Sequence, residues 1–128
     1  MNNEHPVINL AEKLSLFDAT WTPKIIGGLN GQLVKLAKLQ GELTWHDHAD
    51  EDELFLILEG SMTMQYRDRE GNISQVHLNK GDMHIVPKGV EHNPVSPNGA
   101  SVLLFEPSST KHTGHLVIDR TVTDQEWI

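Results

Sequence analysis

Residues 53–92 read ELFLILEGSMTMQYRDREGNISQVHLNKGDMHIVPKGVEH, and this stretch decides the fold class. Short aliphatic runs alternate in it with small groups of Gly, Asn, Asp and Lys, which favour tight turns. The pattern predicts strands at Leu54–Leu58, Ser61–Arg67, Ile73–Leu78, Met83–Val86 and Val90–Val95, joined by turns at 59–60, 70–72, 80–82 and 88–89. Strands at such short spacing, without long helices between them, indicate an antiparallel sandwich or a closed barrel.

The sequence on both sides of this stretch continues the pattern. Asn30-Gly31 is a strong hairpin signal and is followed by a predicted strand at Gln32–Leu39. On the other side, Pro, Asn and Gly at 97–99 predict a turn before a strand at Ser101–Phe105. We therefore predict an all-β fold.

The N-terminal segment differs from the rest. Apolar residues recur at helical spacing over 9–17, and Asn9 is a suitable N-cap, so we predict a short helix that packs its apolar stripe on the domain. The predicted organisation is an N-terminal segment (1–24), a barrel domain (25–118) and a C-terminal tail (119–128).

Composition excludes several classes of protein. The chain has 128 residues, enough for one domain, with a formal net charge of −8 and no cysteine. The absence of cysteine excludes disulfides and thiolate metal sites, and the negative charge argues against nucleic acid as a partner. The longest apolar run, Leu54–Leu58, is far shorter than a membrane span, and no signal peptide is recognisable at the N-terminus. We expect a cytoplasmic protein without membrane association.

Eight histidines invite a search for a metal site. In a strand, His46 and His48 would point to the same face, because side chains alternate. Glu53 begins the next predicted strand, and His92 lies in a later one. A barrel that brings these strands side by side would collect three imidazoles and one carboxylate.

The spacing around these residues is unusual. A His-x-His pair alone is expected about 0.5 times by chance in such a chain, whereas G-x5-P-x-G-x2-H, which ends here at His92, is expected only about 0.002 times. A second pattern, G-x4-H-x-H-x4-E-x6-G, runs from Gly41 to Gly60. Together they resemble the two motifs of the cupin superfamily, G-x5-H-x-H-x3,4-E-x6-G and G-x5-P-x-G-x2-H-x3-N. Two departures are visible: Gly41 is one residue too close to His46, and Ser96 occupies the final Asn position.

The chain looks most like small one-domain cupins, often labelled mannose-6-phosphate-isomerase-like. The resemblance implies a double-stranded β-helix, or jelly-roll, barrel with one divalent metal per chain, held by His46, His48, Glu53 and His92. Imidazole and carboxylate ligands suit Fe, Mn, Ni, Zn, Co or Cu. Four protein ligands leave positions open for water, dioxygen or substrate. Three neutral imidazoles and one carboxylate carry a charge of −1, so a divalent ion leaves a local charge of +1. This charge favours an anionic or enediol-type substrate.

Residues beside this site are expected to form a substrate pocket: Phe55, Ile57, Met64, Tyr66 and Leu104. The reaction would be a dioxygenase-type oxidation or a sugar or keto isomerisation of a small oxygenated substrate. A non-catalytic module that binds a metal or a small molecule is the alternative. The sequence identifies no general acid or base, and His84 is interpreted as a packing or interface residue. Exposed apolar strand faces predict a homodimer.

Overall fold

The computed structural model describes residues 4–110 and 125–128, so the predicted boundary at 118 lies outside the described residues. The division into segment, barrel and tail therefore stays a prediction. The described part has one helix and six strands: α1 Leu10–Leu14, β1 Lys24–Leu29, β2 Gln32–Glu42, β3 Glu53–Arg67, β4 Ile73–Asn79, β5 Met83–Val86 and β6 Glu91–Pro107.

All strand pairs are antiparallel and belong to one sheet in the order β1-β2-β6-β3-β4. Strand β5 lies beside the beginning of β3, over Glu53–Leu56, and β4 lies beside its end, over Ser61–Arg67. The two longest strands, β3 and β6, pair along most of their length. The all-β barrel with a short N-terminal helix is confirmed.

Two predicted turns are wrong, because β3 and β6 run continuously through them. The pairing of β3 with β6 shifts register on both sides of residues 59–60. Gly60 and Gly99 have φ angles of +76° and +88°, and a Cβ atom on Gly60 would lie only 2.2 Å from the Gly99 carbonyl oxygen. Glycine is therefore needed where the two long strands bend across each other at a bulge. The residues that predicted turns at 59–60 and 97–99 therefore form a bend within β3 and within β6 instead.

The other predicted turns are confirmed. Asn30 and Gly31 form the two-residue connection between β1 and β2, with φ angles of +53° and +76°. Two successive positive φ angles are characteristic of a type I′ turn, whose twist matches that of the strands. The turns at 70–72, 80–82 and 88–89 also lie between strands.

The barrel interior is filled by apolar side chains from most of the sheet. Its buried members are Trp21, Ala37, Leu39, Leu43, Phe55, Ile57, Met62, Met64, Leu78, Val86, Ala100, Val102 and Leu104. A second cluster on the outer face contains Phe17, Ile26 and Leu36. The barrel is thus packed inside, and one outer face is covered by the N-terminal segment.

The N-terminal helix is shorter than predicted but begins at the predicted cap. The Asn9 side chain accepts a hydrogen bond of 2.9 Å from the Glu12 amide. After the helix, Trp21 joins the interior cluster, where its indole N–H donates to the Gln40 carbonyl oxygen at 2.9 Å. The segment therefore contributes to the barrel interior as well as to its outer face. Among the described residues, no helix is long and apolar enough to cross a membrane.

Candidate metal centre

Three buried imidazoles meet inside the barrel. The ring centroids of His46, His48 and His92 are separated by 5.0 Å, 4.3 Å and 5.5 Å. One nitrogen of each ring lies within 4.8 Å of a nitrogen of the other two, which is close enough for one metal ion to be held by all three. The three predicted histidines are thus brought together.

The local backbone differs from the predicted strand. Residues 43–52 lie outside the named strands, and only His46 pairs there, in an isolated antiparallel bridge with His92. The His46 amide donates to the His92 carbonyl oxygen at 3.0 Å, and the reverse bond is 2.8 Å long. The backbone of His48 is held by a different hydrogen bond, which the Gly89 amide donates to the His48 carbonyl oxygen at 2.7 Å.

Two of the rings are oriented by backbone carbonyl groups. Nδ1 of His46 lies 2.9 Å from the Thr44 carbonyl oxygen, and Nδ1 of His92 lies 2.9 Å from that of Val90. Because a carbonyl oxygen only accepts, each Nδ1 carries the hydrogen and each neutral ring keeps its lone pair on Nε2. Burial lowers the pKa of His92, which favours the neutral ring. Its buried Nε2 has no hydrogen-bond partner among the described residues. A metal ion fits this arrangement.

Glu53 lies beside the histidines. It begins β3, its side chain is buried, and its Oε1 lies 3.7 Å from Nε2 of His48 and 3.8 Å from Nε2 of His92. Ligand atoms about 2.1 Å from one ion are separated by roughly 3.0 to 4.2 Å. The spacing therefore allows Glu53, His48 and His92 a common ion, whereas the group of candidate ligand atoms that all lie within 4.8 Å of one another consists of the three histidines without Glu53.

A second carboxyl group and a lysine are buried near Glu53. Glu53 and Glu106 face a single buried ammonium group, that of Lys35, which lies 2.7 Å from Oε1 of Glu106. Burial is the main cause that raises the pKa of both carboxyl groups, and the proximity of Glu53 raises that of Glu106 further. These raised pKa values favour a proton held by the two carboxyl groups, and a divalent cation on Glu53 would take the place of that proton.

An apolar cavity of about 30 Å³ adjoins His46 and Glu53. It is lined by Trp21, Pro23, Ala37, Leu39, Leu43, His46, Glu53, Phe55, Pro94, Val102 and Leu104. Of the predicted pocket residues, Phe55 and Leu104 line this cavity, whereas Ile57 and Met64 are buried in the interior cluster without lining it. The sequence did not predict that Trp21 lines this cavity, because no pattern in the residues around it connects it with the barrel interior.

Tyr66, the fifth predicted pocket residue, is paired with a histidine. Its hydroxyl lies 2.5 Å from Nε2 of His84, and its backbone is directly opposite that of His92 in the sheet. Burial, and then the charge of Glu53, raises the pKa of Tyr66 to about 12, while burial lowers the pKa of His84. The hydroxyl therefore donates to a neutral imidazole. His84 could have been recognised because it shares a strand face with the buried Val86.

Comparisons with known proteins establish the family. The model of the Cupin domain family matches residues 32–106, more than half of the chain, so the chain belongs to the cupin family. A cupin-2 domain containing protein from Shewanella frigidimarina NCIMB 400 is 40% identical with a TM-score of 0.73, covering 79% of this chain and 94% of that one.

Two further similarities involve dioxygenases. Acireductone dioxygenase of Drosophila melanogaster is 46% identical over 55 residues, which is 43% of this chain and 29% of that protein. Hydroquinone 1,2-dioxygenase from Sphingomonas sp. TTNP3, in complex with 4-nitrophenol, is 26% identical with a TM-score of 0.73, covering 83% of this chain and 33% of that chain. The chain spans about half or less of the length of the curated relatives it matches.

Proposed function

We propose that this cupin holds one divalent transition metal with His46, His48, Glu53 and His92 and oxidises a small anionic or enediol-type substrate with dioxygen. The observation that carries the proposal is the convergence of three buried imidazoles inside the barrel, with the Glu53 carboxylate within 4 Å of two of them. The ion would supply Lewis-acid and redox chemistry at its open positions. The similarity to dioxygenases supports oxidation over isomerisation.

The cavity supports a small reactant beside the ligands. At about 30 Å³ it has room for roughly two water molecules, and its walls apart from His46 and Glu53 are apolar. A diatomic gas fits such a space, whereas a sugar ring does not. This favours dioxygen over a carbohydrate as the molecule next to the ligands on this side.

The Tyr66–His84 pair would orient the substrate. The hydroxyl hydrogen of Tyr66 is directed to His84, so the phenolic oxygen is left as an acceptor for a hydroxyl group of the substrate. The backbone of Tyr66 lies directly opposite that of His92 in the sheet, which supports a location of the hydroxyl near the ligand set. We propose that this oxygen holds the substrate beside the ligand set.

Oxygen uptake tests this function. The protein would be loaded in turn with Fe, Mn, Ni, Co, Cu or Zn and offered a panel of enediols, hydroquinones and catechols. We expect at least one metal-loaded form to consume oxygen with at least one of these compounds. Tyr66→Phe and His84→Asn should each lower kcat/KM by about tenfold or more, because the substrate loses an oriented partner. His77→Asn is the matched control, since His77 bonds the Thr63 hydroxyl at an exposed position.

Other outcomes would decide between the alternatives. Metal binding with reversible ligand binding but no oxygen uptake would contradict the enzyme proposal and favour a non-catalytic module. Conversion of a sugar or keto compound without oxygen uptake would favour an isomerase.

We also propose a homodimer. Large apolar side chains are exposed on the edge strands: Ile73 is 61% exposed, Met83 59% and Ile85 50%. Such a surface favours association. Light scattering should give twice the chain mass, and Met83→Glu with Ile85→Glu should give the monomer mass. A monomeric wild-type protein at about 100 µM, a concentration at which a micromolar dimer is formed, would contradict this proposal.

A further inference from the structure

The barrel interior contains an ion pair that the proposed function does not use. Nζ of Lys35 lies 2.7 Å from Oε1 of Glu106, and the two side chains are 1% and 0% exposed. Lys35 comes from β2 and Glu106 from β6, which pair with each other. Both therefore belong to the same end of the barrel, on neighbouring strands.

Strand register places this pair next to Glu53. In the pairing of β3 with β6, Leu54 is opposite Phe105. Glu53 and Glu106 lie one residue beyond this last pair of the ladder, so their side chains are expected on the same face of the sheet. The carboxyl groups interact, and the charge of Lys35 also acts on Glu53. The side chains form a chain from Lys35 through Glu106 to Glu53.

Fold stability alone does not explain an ion pair in this position. Removing two charges from water costs free energy that their attraction rarely recovers, and apolar replacements of buried pairs are often neutral or stabilising. The pair is also adjacent to the Glu53 carboxylate, which lies within 4 Å of two of the three histidines, His48 and His92. Its location indicates a role at that carboxylate.

We propose that Lys35 and Glu106 are positioning residues that hold the Glu53 carboxylate toward the three histidines. The carboxyl group of Glu106 interacts with that of Glu53, and Lys35, 2.7 Å from Oε1 of Glu106, supplies a buried positive charge beside the two carboxyl groups. The inference rests on the proposed metal site, because Glu53 is oriented for a purpose only if an ion binds there.

The inference is tested by comparing the zinc affinity of the wild type with that of a double variant whose barrel interior stays filled. Lys35→Met with Glu106→Leu replaces the pair by apolar side chains of similar size, so the metal-free protein should keep its Tm or gain in Tm. We expect its affinity for Zn²⁺, measured by calorimetric titration, to fall about 10- to 100-fold. The matched control is Lys80→Gln with Glu59→Gln, which removes an exposed ion pair of 3.1 Å and should leave the affinity unchanged.

A second variant separates positioning from mere stability. Lys35→Met with Glu106→Gln keeps a side chain that can bond the Glu53 carboxylate, and it should recover most of the lost affinity. Equal zinc affinity in the wild type and in the variant with Lys35→Met and Glu106→Leu would overturn the inference. Equal affinity in the two double variants, which differ only in Leu or Gln at position 106, would overturn it as well. Absence of zinc binding by the wild type would overturn the proposed metal site instead, so the two failures are distinguishable.

Discussion

His46→Ala combined with His92→Ala is expected to abolish metal binding. Elemental analysis should find about one divalent ion per chain in the wild type after metal-supplemented expression and none in the double variant. The two rings lie with centroids 4.3 Å apart, and their loss leaves only His48 and Glu53 of the proposed set. At a metal concentration 1,000 times Kd, binding stabilises the wild type by about 4 kcal/mol, and the variant should lose this increment.

Thermal unfolding with and without a chelator measures that difference. His77→Ala is the control, because it removes an exposed histidine and should retain both the metal and the chelator-sensitive Tm. An unchanged wild-type Tm after chelation would show that any metal present is incidental. Metal retained by the double variant would mean that other residues hold it.

Acidification is expected to release the metal. Burial raises the pKa of Glu53, so a proton competes with the ion there at a higher pH than at an ordinary carboxyl group. Burial lowers the pKa of His92, so its ring stays neutral below the ordinary value and competes for protons only at lower pH. Protons are therefore taken up as the metal leaves, and affinity should fall about tenfold per pH unit for each proton displaced.

The slope of this dependence tests the role of Glu53. Between pH 7.5 and 5, Glu53→Gln should bind the metal more weakly and should lose up to one proton from the slope of log affinity against pH. Dialysis at each pH followed by elemental analysis gives both quantities. Metal retained at pH 4 would contradict imidazole ligation, and an unchanged slope in the variant would contradict proton competition at Glu53.

The convergence of the three histidines was predictable because their spacing is specific. The His-x-His pair and His92 lie far apart in the sequence, and the fold brings them into one cluster of buried donor groups. Glu53 as a metal ligand stays a prediction. The prediction for His46 and His48 assumed a strand, and His48 does not lie in a regular strand. The two rings nevertheless lie side by side, as alternation of side chains predicted.

The supporting residues were not predictable by alternation. Both faces of β2 carry apolar side chains, so nothing marked Lys35 as pointing inward. Glu106 lies one residue beyond the predicted end of its strand, and a carboxylate at a strand end is ordinarily solvated. Likewise, Gly60 and Gly99 have the composition of turns, and only the pairing of two long strands reveals that they form a bend.

The backbone bridge between His46 and His92 has a consequence for metal selection. These two residues are joined by main-chain hydrogen bonds of 3.0 Å and 2.8 Å that need no ion. The donor groups are consequently preformed, and binding requires little rearrangement of the protein. A preformed nitrogen and oxygen set ranks the divalent ions by the Irving–Williams order. Which ion occupies the protein in a cell would then follow from metal supply during biosynthesis, and heterologous expression could install a different one.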